Sequence, residues 1–542
     1  MKKFRFSSIV TLANSKMPVK LVAVILAAST LLSALLGIFR DRLLNSQYLD
    51  TYPTGIDAYT AAFTIPDFMF FILVSGALSV TFIPVFNQRL AGGNKKSAWE
   101  LSSSVLNILA LTTLLASILI VIFAEPLVRY IVGPGLDESS RSLAVAMMRI
   151  IAVNPFLFAI STVLTSIQQS IGRFVYYALA PVFYNIGIII GIKYFANGIN
   201  LFGWQIFEGG IMGVALGVAL GAILQLIVSA VGLFGLGFNY EFKIYWQNLG
   251  FKKVLGLLPA RSIDQGIDYI NGIVEMNLAS RMVAGTLRSY QQALSIHLMP
   301  ISLIGVAIST AFFPKMTEDL AHDNEEGFLR SFRSALRMVI WIALPVSVVA
   351  FFGRGYVVSF IKNGGDSLIS ALLGALVISI FCRSIFHILV RAFYARQNTK
   401  TPLMVSIFAI GVNIALAIIF TFHFDMGAYG LAFAQSIGAV LEIIILTSVL
   451  ILHYRNIFTS RFMSAILRMI LSGFITSIVA YSMVKLFPLD ITDQSFFLTF
   501  PKFLLIVVTS FAAYIVSCYL LNLREINPIV YYLKKILFRN VK

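Results

Sequence analysis

About fourteen blocks of roughly 20 mostly apolar residues follow one another along this 542-residue chain, the first near 19–39 and the last near 500–521. Each block is long enough to cross the hydrocarbon of a bilayer as a helix. Backbone polar groups find no water there, so a spanning segment must bond to itself or close into a barrel. Barrel strands would alternate polar and apolar residues with period two, and these blocks do not. The expected fold class is an all-α polytopic membrane protein with about 14 transmembrane helices. Composition agrees: 58% of residues are hydrophobic and 12% charged, against about 25% charged in soluble domains.

The net charge of +17 would suggest a nucleic-acid partner in a soluble protein. Here its placement sets topology instead, and no nucleic-acid role is expected. Basic residues crowd the alternate connections: Lys2, Lys3 and Arg5, then Lys95 and Lys96, then Lys252 and Lys253, then Arg330 and Arg333, then Lys534 and Lys535. The positive-inside bias places both termini in the cytoplasm. The first block follows a basic segment, yet it is too long for a signal peptide and reads as the first span.

Charge inside the spans is where function should lie. Arg261, Asp264, Asp268, Asn271 and Glu275 fall within roughly an 80° arc of one helix at 100° per residue. An ionisable group at mid-membrane costs about 2.5–3.5 kcal/mol on the lenient insertion scale. Such a stripe cannot face lipid; it lines a wet chamber or pairs with neighbouring helices. The second span carries Asp57, Thr64, Asp67, Ser75 and Ser79 on one face. The eighth carries Arg288, Gln291, Gln292, Ser295, Ser302 and Ser309. Small hydroxyls also serve helix packing, but packing does not require charge. Asp67, Asp264 and Asp268 are therefore candidates for coupling or gating, since two close carboxylates resist joint ionisation and can share a proton or cation. Arg281 and Arg288 flank the turn VAGT and are placed to meet either an anionic substrate or lipid phosphates. Together these seams point to a protein that moves something polar through a membrane.

Other chemistries are excluded. Cys382 and Cys518 both sit within spans and form no framework. The five histidines show no metal-ligand spacing; His297 lies off the polar face of its helix and reads as packed. No phosphate loop occurs, so no cofactor or ATP is expected, and the energy must come from an ion gradient, the membrane potential or the substrate's own gradient.

SVTFIP at Ser79–Pro84 recurs as STAFFP at Ser309–Pro314, six spans later. An even number of helices between copies implies parallel repeats. The expected organisation is an N-terminal six-helix lobe over 1–240 and a C-terminal six-helix lobe over 241–455. Two further helices and a basic tail fill 456–542.

Three blocks carry a family resemblance. GIFRDRLLNSQYLDTYPTGIDAYTAAFTIPDFMFFILVSGALSVTFIPVF (37–86), GRFVYYALAPVFYNIG (172–187) and RAFYARQNTKTP (391–402) resemble, in order, motifs of the MurJ/MviN lipid II flippases of the multidrug/oligosaccharidyl-lipid/polysaccharide exporter superfamily. The resemblance implies two six-helix lobes in a V around a central cavity, with two additional helices for a polyprenyl tail. It implies a flippase for the peptidoglycan precursor lipid II in the bacterial cytoplasmic membrane, a transporter and not an enzyme. The partners would be the lipid-linked substrate and membrane lipids, with the protein acting as a monomer. Arg40, Asp41 and Asp57 match the family motif and are substrate-binding candidates, joined by Arg261, Arg281 and Arg288. Arginine suits a diphosphate because its planar fork binds paired oxygens. Family arginines are replaced here by Ala34, Phe70 and Ser295, and a second-span acidic residue by Ser75. Some members bind sodium: Glu275 stands at the position of the seventh-helix carboxylate, and Asn413 at an eleventh-helix ligand. Ala417 and Gln435 stand where a carboxylate and a threonine would be. Sodium or proton coupling is the resulting expectation. Two other readings stay open, a flippase for another lipid-linked oligosaccharide and a cation-coupled multidrug exporter.

Overall fold

The computed structural model of the chain describes residues 19–75, 82–201, 204–454, 457–490 and 493–527. Nearly all of them are helical. The chain divides into two compact units, Met1–Arg288 and Ser289–Lys542. Counting spans puts a lobe boundary near 240; the compact units divide at 288.

In the first unit the helices are α1 (Val19–Tyr48), α2 (Pro53–Phe70), α3 (Ile83–Ala91), α4 (Lys95–Pro126), α5 (Glu138–Ile151), α6 (Asn154–Ser170), α7 (Val175–Lys193), α8 (Ile211–Val231) and α9 (Leu249–Ala279). The α10 helix (Thr286–Ile301) begins at its end. The second unit holds α11 (Ala307–Ala321), α12 (Glu325–Phe352), α13 (Arg354–Ile361), α14 (Ser367–Ala395), α15 (Lys400–Ile418), α16 (Ala428–His453), α17 (Ser460–Leu486) and α18 (Phe496–Leu520). Among the described residues, 13 helical segments are long and apolar enough to cross a membrane. The expected seventh span, α9, is a single helix of 31 residues. One β-hairpin, Ile199–Leu201 against Trp204–Phe207, was not expected from the apolar pattern.

Each unit has its own core. In the first, Phe82, Phe86, Leu101, Val105, Phe251 and Val254 pack together. In the second, Phe328, Phe332, Leu336, Ile388, Phe393 and Leu446 do so. The α7–α8 contact is made through glycine. A Cβ at Gly191 would lie 2.6 Å from the Gly217 Cα, and one at Gly187 would lie 2.3 Å from the Gly221 Cα. Small residues let helix backbones approach this closely without a hydrophobic drive between them. The connection from α8 to α9 is pinned to α4 by side chains. Asn107 Nδ2 donates to the carbonyls of Glu241 and Lys243 at 2.9 and 3.0 Å. Ser104 Oγ accepts from the Tyr245 N–H at 2.9 Å.

Local structure repeats far beyond the six-residue sequence match. Gly93 and Asp323 both take left-handed φ. The asparagine after each caps a helix: Asn94 Oδ1 accepts from Ser97 N–H at 3.0 Å, and Asn324 Oδ1 from Gly327 N–H at 2.9 Å. Asp137 and Asp366 cap α5 and α14 in the same manner. Left-handed turns at Gly172 and Gln397, then at Gly210 and Gly427, precede corresponding helices. A π-helical turn interrupts the second span at Phe71–Ser75 and the eighth at Ser302–Val306. Such turns cluster at functional positions in helices.

Candidate functional site

The first unit gathers charge where α1, α2, α7 and the start of α10 meet. Asp41 is the centre. Its Oδ1 accepts from Arg40 Nη2 at 3.0 Å and from Arg288 Nη2 at 3.3 Å. Two guanidiniums therefore share one carboxylate, and the trio carries a net single positive charge. Arg288 Nε also donates to Asn45 Oδ1 at 2.9 Å. Asp41 and Asn45 are one helical turn apart, so both point from the same face of α1. Arg40 Nη1 donates to Asn185 Oδ1 at 3.0 Å. The Asn185 amide nitrogen is in turn held by Ser33 and by the Pro181 carbonyl. The Arg288 side chain is only 7% exposed, whereas that of Arg40 is 25% exposed. Of the two guanidiniums, Arg40 is the more exposed.

Asp57 does a different job. It is 4% exposed, and both its oxygens take backbone donors. Oδ2 accepts from Gly285 N–H at 2.6 Å and Oδ1 from Arg288 N–H at 2.8 Å. These amides lie at the start of α10, so Asp57 is a helix cap supplied from another helix, where a negative charge also meets the positive end of the dipole. Gly285 makes the approach with φ +88°, a conformation that strains residues bearing a Cβ. Tyr59 and Tyr184 stand within electrostatic reach of Arg40 and Asp67. Asp67 is half-buried.

The other candidates fall elsewhere. Arg281 is exposed, and its Nη2 donates to Asn277 Oδ1 at 3.2 Å; among the described residues no hydrogen bond joins it to the Arg40 cluster. The Glu275 carboxylate is buried and accepts from Asn271 Nδ2 at 3.0 Å. Asn413, in the second unit, donates from Nδ2 to Gln435 Oε1 at 3.1 Å. The side chains of Arg261, Asp264 and Asp268 lie outside the described residues, as do those of Ser75 and Ser79.

Sodium would need oxygen ligands with a compensating charge. Of the expected set, the buried Glu275 carboxylate accepts from Asn271, Asn413 donates to Gln435, and Ala417 offers no side-chain oxygen. No step is assigned to the ion.

Several polar residues were missed at the sequence level. Asn45 and Asn185 were overlooked because neutral amides in a span carry little signal. In the second unit Arg383 Nη1 pairs with Glu442 Oε2 at 2.9 Å. Ser379, Arg383 and His387 recur every four residues on α14, a spacing that could have flagged a polar face.

Over residues 52–505 the chain matches the family model described as lipid II flippase MurJ. The probable lipid II flippase MurJ of Buchnera aphidicola is 25% identical over 430 residues, covering 77% of this chain and 81% of that protein. That of Thermotoga maritima is 26% identical over 429 residues, covering 77% and 82%. A solved lipid II flippase MurJ in an inward closed conformation matches with a TM-score of 0.69 at 24% identity, over 90% of this chain and 98% of that one. An inward-facing MATE family multidrug resistance transporter of the MOP superfamily matches at 0.63 and 18% identity, over 77% and 93%. The last two are likenesses of fold. Family membership rests on the match that spans most of the sequence: the chain belongs to the MurJ lipid II flippase family.

Proposed function

We propose that the chain is a lipid II flippase of the bacterial inner membrane, a transporter that makes and breaks no covalent bond. The observation that carries this reading is the family match over residues 52–505, beside which stands the Arg40–Asp41–Arg288 trio, whose Arg288 lies inside the match and whose Arg40 and Asp41 precede it. A sugar-peptide head group on a diphosphate cannot cross hydrocarbon unaided. The trio offers it a fixed positive charge. A diphosphate reaching Arg40 takes the guanidinium edge that Asp41 occupies at 3.2 and 3.0 Å, while Arg288 keeps Asp41 from being stranded. Paired oxygens suit that planar edge. Asp57 holds the first turn of α10, so release of that cap frees the element that carries Arg288. Alternating exposure of this site to the two membrane faces then moves the head group while the tail stays in lipid. Asp67, Asp264 and Asp268 tune the charge of the path. Both termini are cytoplasmic, and the protein works as a monomer.

The test is replacement in living cells. The chain is expressed in bacteria whose own lipid II flippase is shut off, and precursor exposure at the outer face is assayed. The expected result is rescue by the wild type and loss of rescue with Arg40→Ala. Absence of rescue by a well-expressed wild type, with transport of another lipid-linked sugar, would reassign the cargo.

A further inference from the structure

The fourth span is broken at its middle residue. The apolar segment Glu138–Ser170 is 33 residues long; α5 ends in it at Ile151 and α6 begins at Asn154. Pro155 has no N–H to offer the Ile151 carbonyl one turn back. Among the described residues the Ala152 carbonyl accepts no hydrogen bond and the Phe156 N–H donates none. The Val153 N–H reaches the Ile150 carbonyl only at 3.5 Å. Asn154 is 1% exposed, yet neither its Oδ1 nor its Nδ2 has a partner.

A second orphan stands level with the break. Arg149 Nε donates to the Val121 carbonyl at 3.3 Å, which registers α5 against α4. One turn further along α5 and one turn back along α4, Val153 comes opposite Ser117. Ser117 is buried and its Oγ is likewise unpartnered. Other hydroxyls on α4 and α6 bond to the carbonyl four residues earlier, as Thr113 does to Leu109 and Thr162 to Phe158, both at 2.6 Å. Ser117 does not. Unbonded polar groups are costly in hydrocarbon, where bulk water does not reach them.

We propose that the break in the fourth span is a hydration site, at which ordered water joins Asn154 and Ser117 to the open backbone groups of Ala152 and Phe156. The chemistry of the donor set selects water over a cation. The Ala152 carbonyl and Asn154 Oδ1 need donors, whereas the Phe156 N–H and Asn154 Nδ2 need acceptors. A cation serves only the oxygens; water serves both kinds and typically makes about three bonds when buried. The site does not depend on what the protein carries.

The test is X-ray hydroxyl-radical footprinting of the purified full-length protein in nanodiscs. Radicals formed from water inside the protein oxidise side chains that bulk solvent does not reach. Ile151 and Pro155, both buried at the break, should be oxidised several-fold faster than Ile388, which is 0% exposed in the apolar core of the second unit. Asn154→Leu should bring Ile151 down to the rate of Ile388 and lower the thermal midpoint, while Asn154→Ser, which keeps a donor and an acceptor, should retain most of the labelling. Equal rates for Ile151 and Ile388 in the wild type overturn the proposal. So does a higher midpoint for Asn154→Leu, the result expected where an unbonded amide is replaced in a dry site. A midpoint raised by sodium or potassium over N-methylglucamine, and no longer raised in Asn154→Leu, would give the site to a cation and also overturn it.

Discussion

Asp41 is the residue on which the first unit's charge balance turns. Removing it as Asp41→Ala leaves two neighbouring guanidiniums facing each other. Breaking a buried pair from one side costs about 3–5 kcal/mol; Asp41 is 17% exposed, so a loss of about 2–3 kcal/mol is expected. A chemical unfolding curve checks this, and Asp41→Asn should lose less. Asp57→Ala strips two backbone donors of their acceptor. Charge-assisted bonds of this kind are worth about 1.5–3 kcal/mol each against an unpaired donor, so that variant should fail in the replacement assay even where it reaches the membrane. A pH effect belongs to Asp137, outside the spans. Ser139 and Ser140 hydrogen-bond its carboxylate and hold it down to about 2, against about 3.9 in an unfolded chain. Its contribution is complete above the unfolded value, declines as pH falls from about 4 to 2, and vanishes below that. The difference in unfolding midpoint between wild type and Asp137→Ala should shrink over that window. Charged residues of this site were legible because charge in a span is costly: Arg40, Asp41, Asp57 and Arg288 stood out. That Arg288 would reach Asp41 across 247 positions was not, because sequence spacing says nothing about which helices become neighbours.

Helices were the easiest elements to anticipate, since length and hydropathy alone define a span. Their interruptions were harder. The π-helical turns have no compositional mark, and the break between α5 and α6 follows from Pro155, whose ring removes a backbone donor and crowds the preceding turn. The repeat was visible in six residues only, because caps and left-handed turns conserve geometry through different side chains, Gly93 matching Asp323 and Gly172 matching Gln397. The glycine seam of α7 and α8 yields a prediction at this scale. Gly191→Leu forces apart backbones that have no room for a Cβ. Overpacking costs typically about 1–3 kcal/mol, so the variant should show a lower unfolding midpoint in nanodiscs, with Gly235→Ala, which has open space around it but positive φ, losing less.

Across the whole molecule, the excess of 41 Lys and Arg over 24 Asp and Glu is a statement about orientation. The positive-inside bias predicts that cysteines introduced at Lys95 and Lys400 react with an impermeant thiol reagent only from the cytoplasmic side. Trp204, in the hairpin, should be labelled as a cysteine only from outside. The two compact units share a plan yet differ in charge: the first holds two guanidiniums on one carboxylate, with a net positive charge, and the second pairs Arg383 one-to-one with Glu442. The most direct measurement is lipid II translocation by purified protein in sealed vesicles, comparing wild type with Arg40→Ala and Arg281→Ala. The account predicts that Arg40→Ala falls to the rate of protein-free vesicles while Arg281→Ala keeps most of the wild-type rate. Equal translocation by wild type and Arg40→Ala would contradict it.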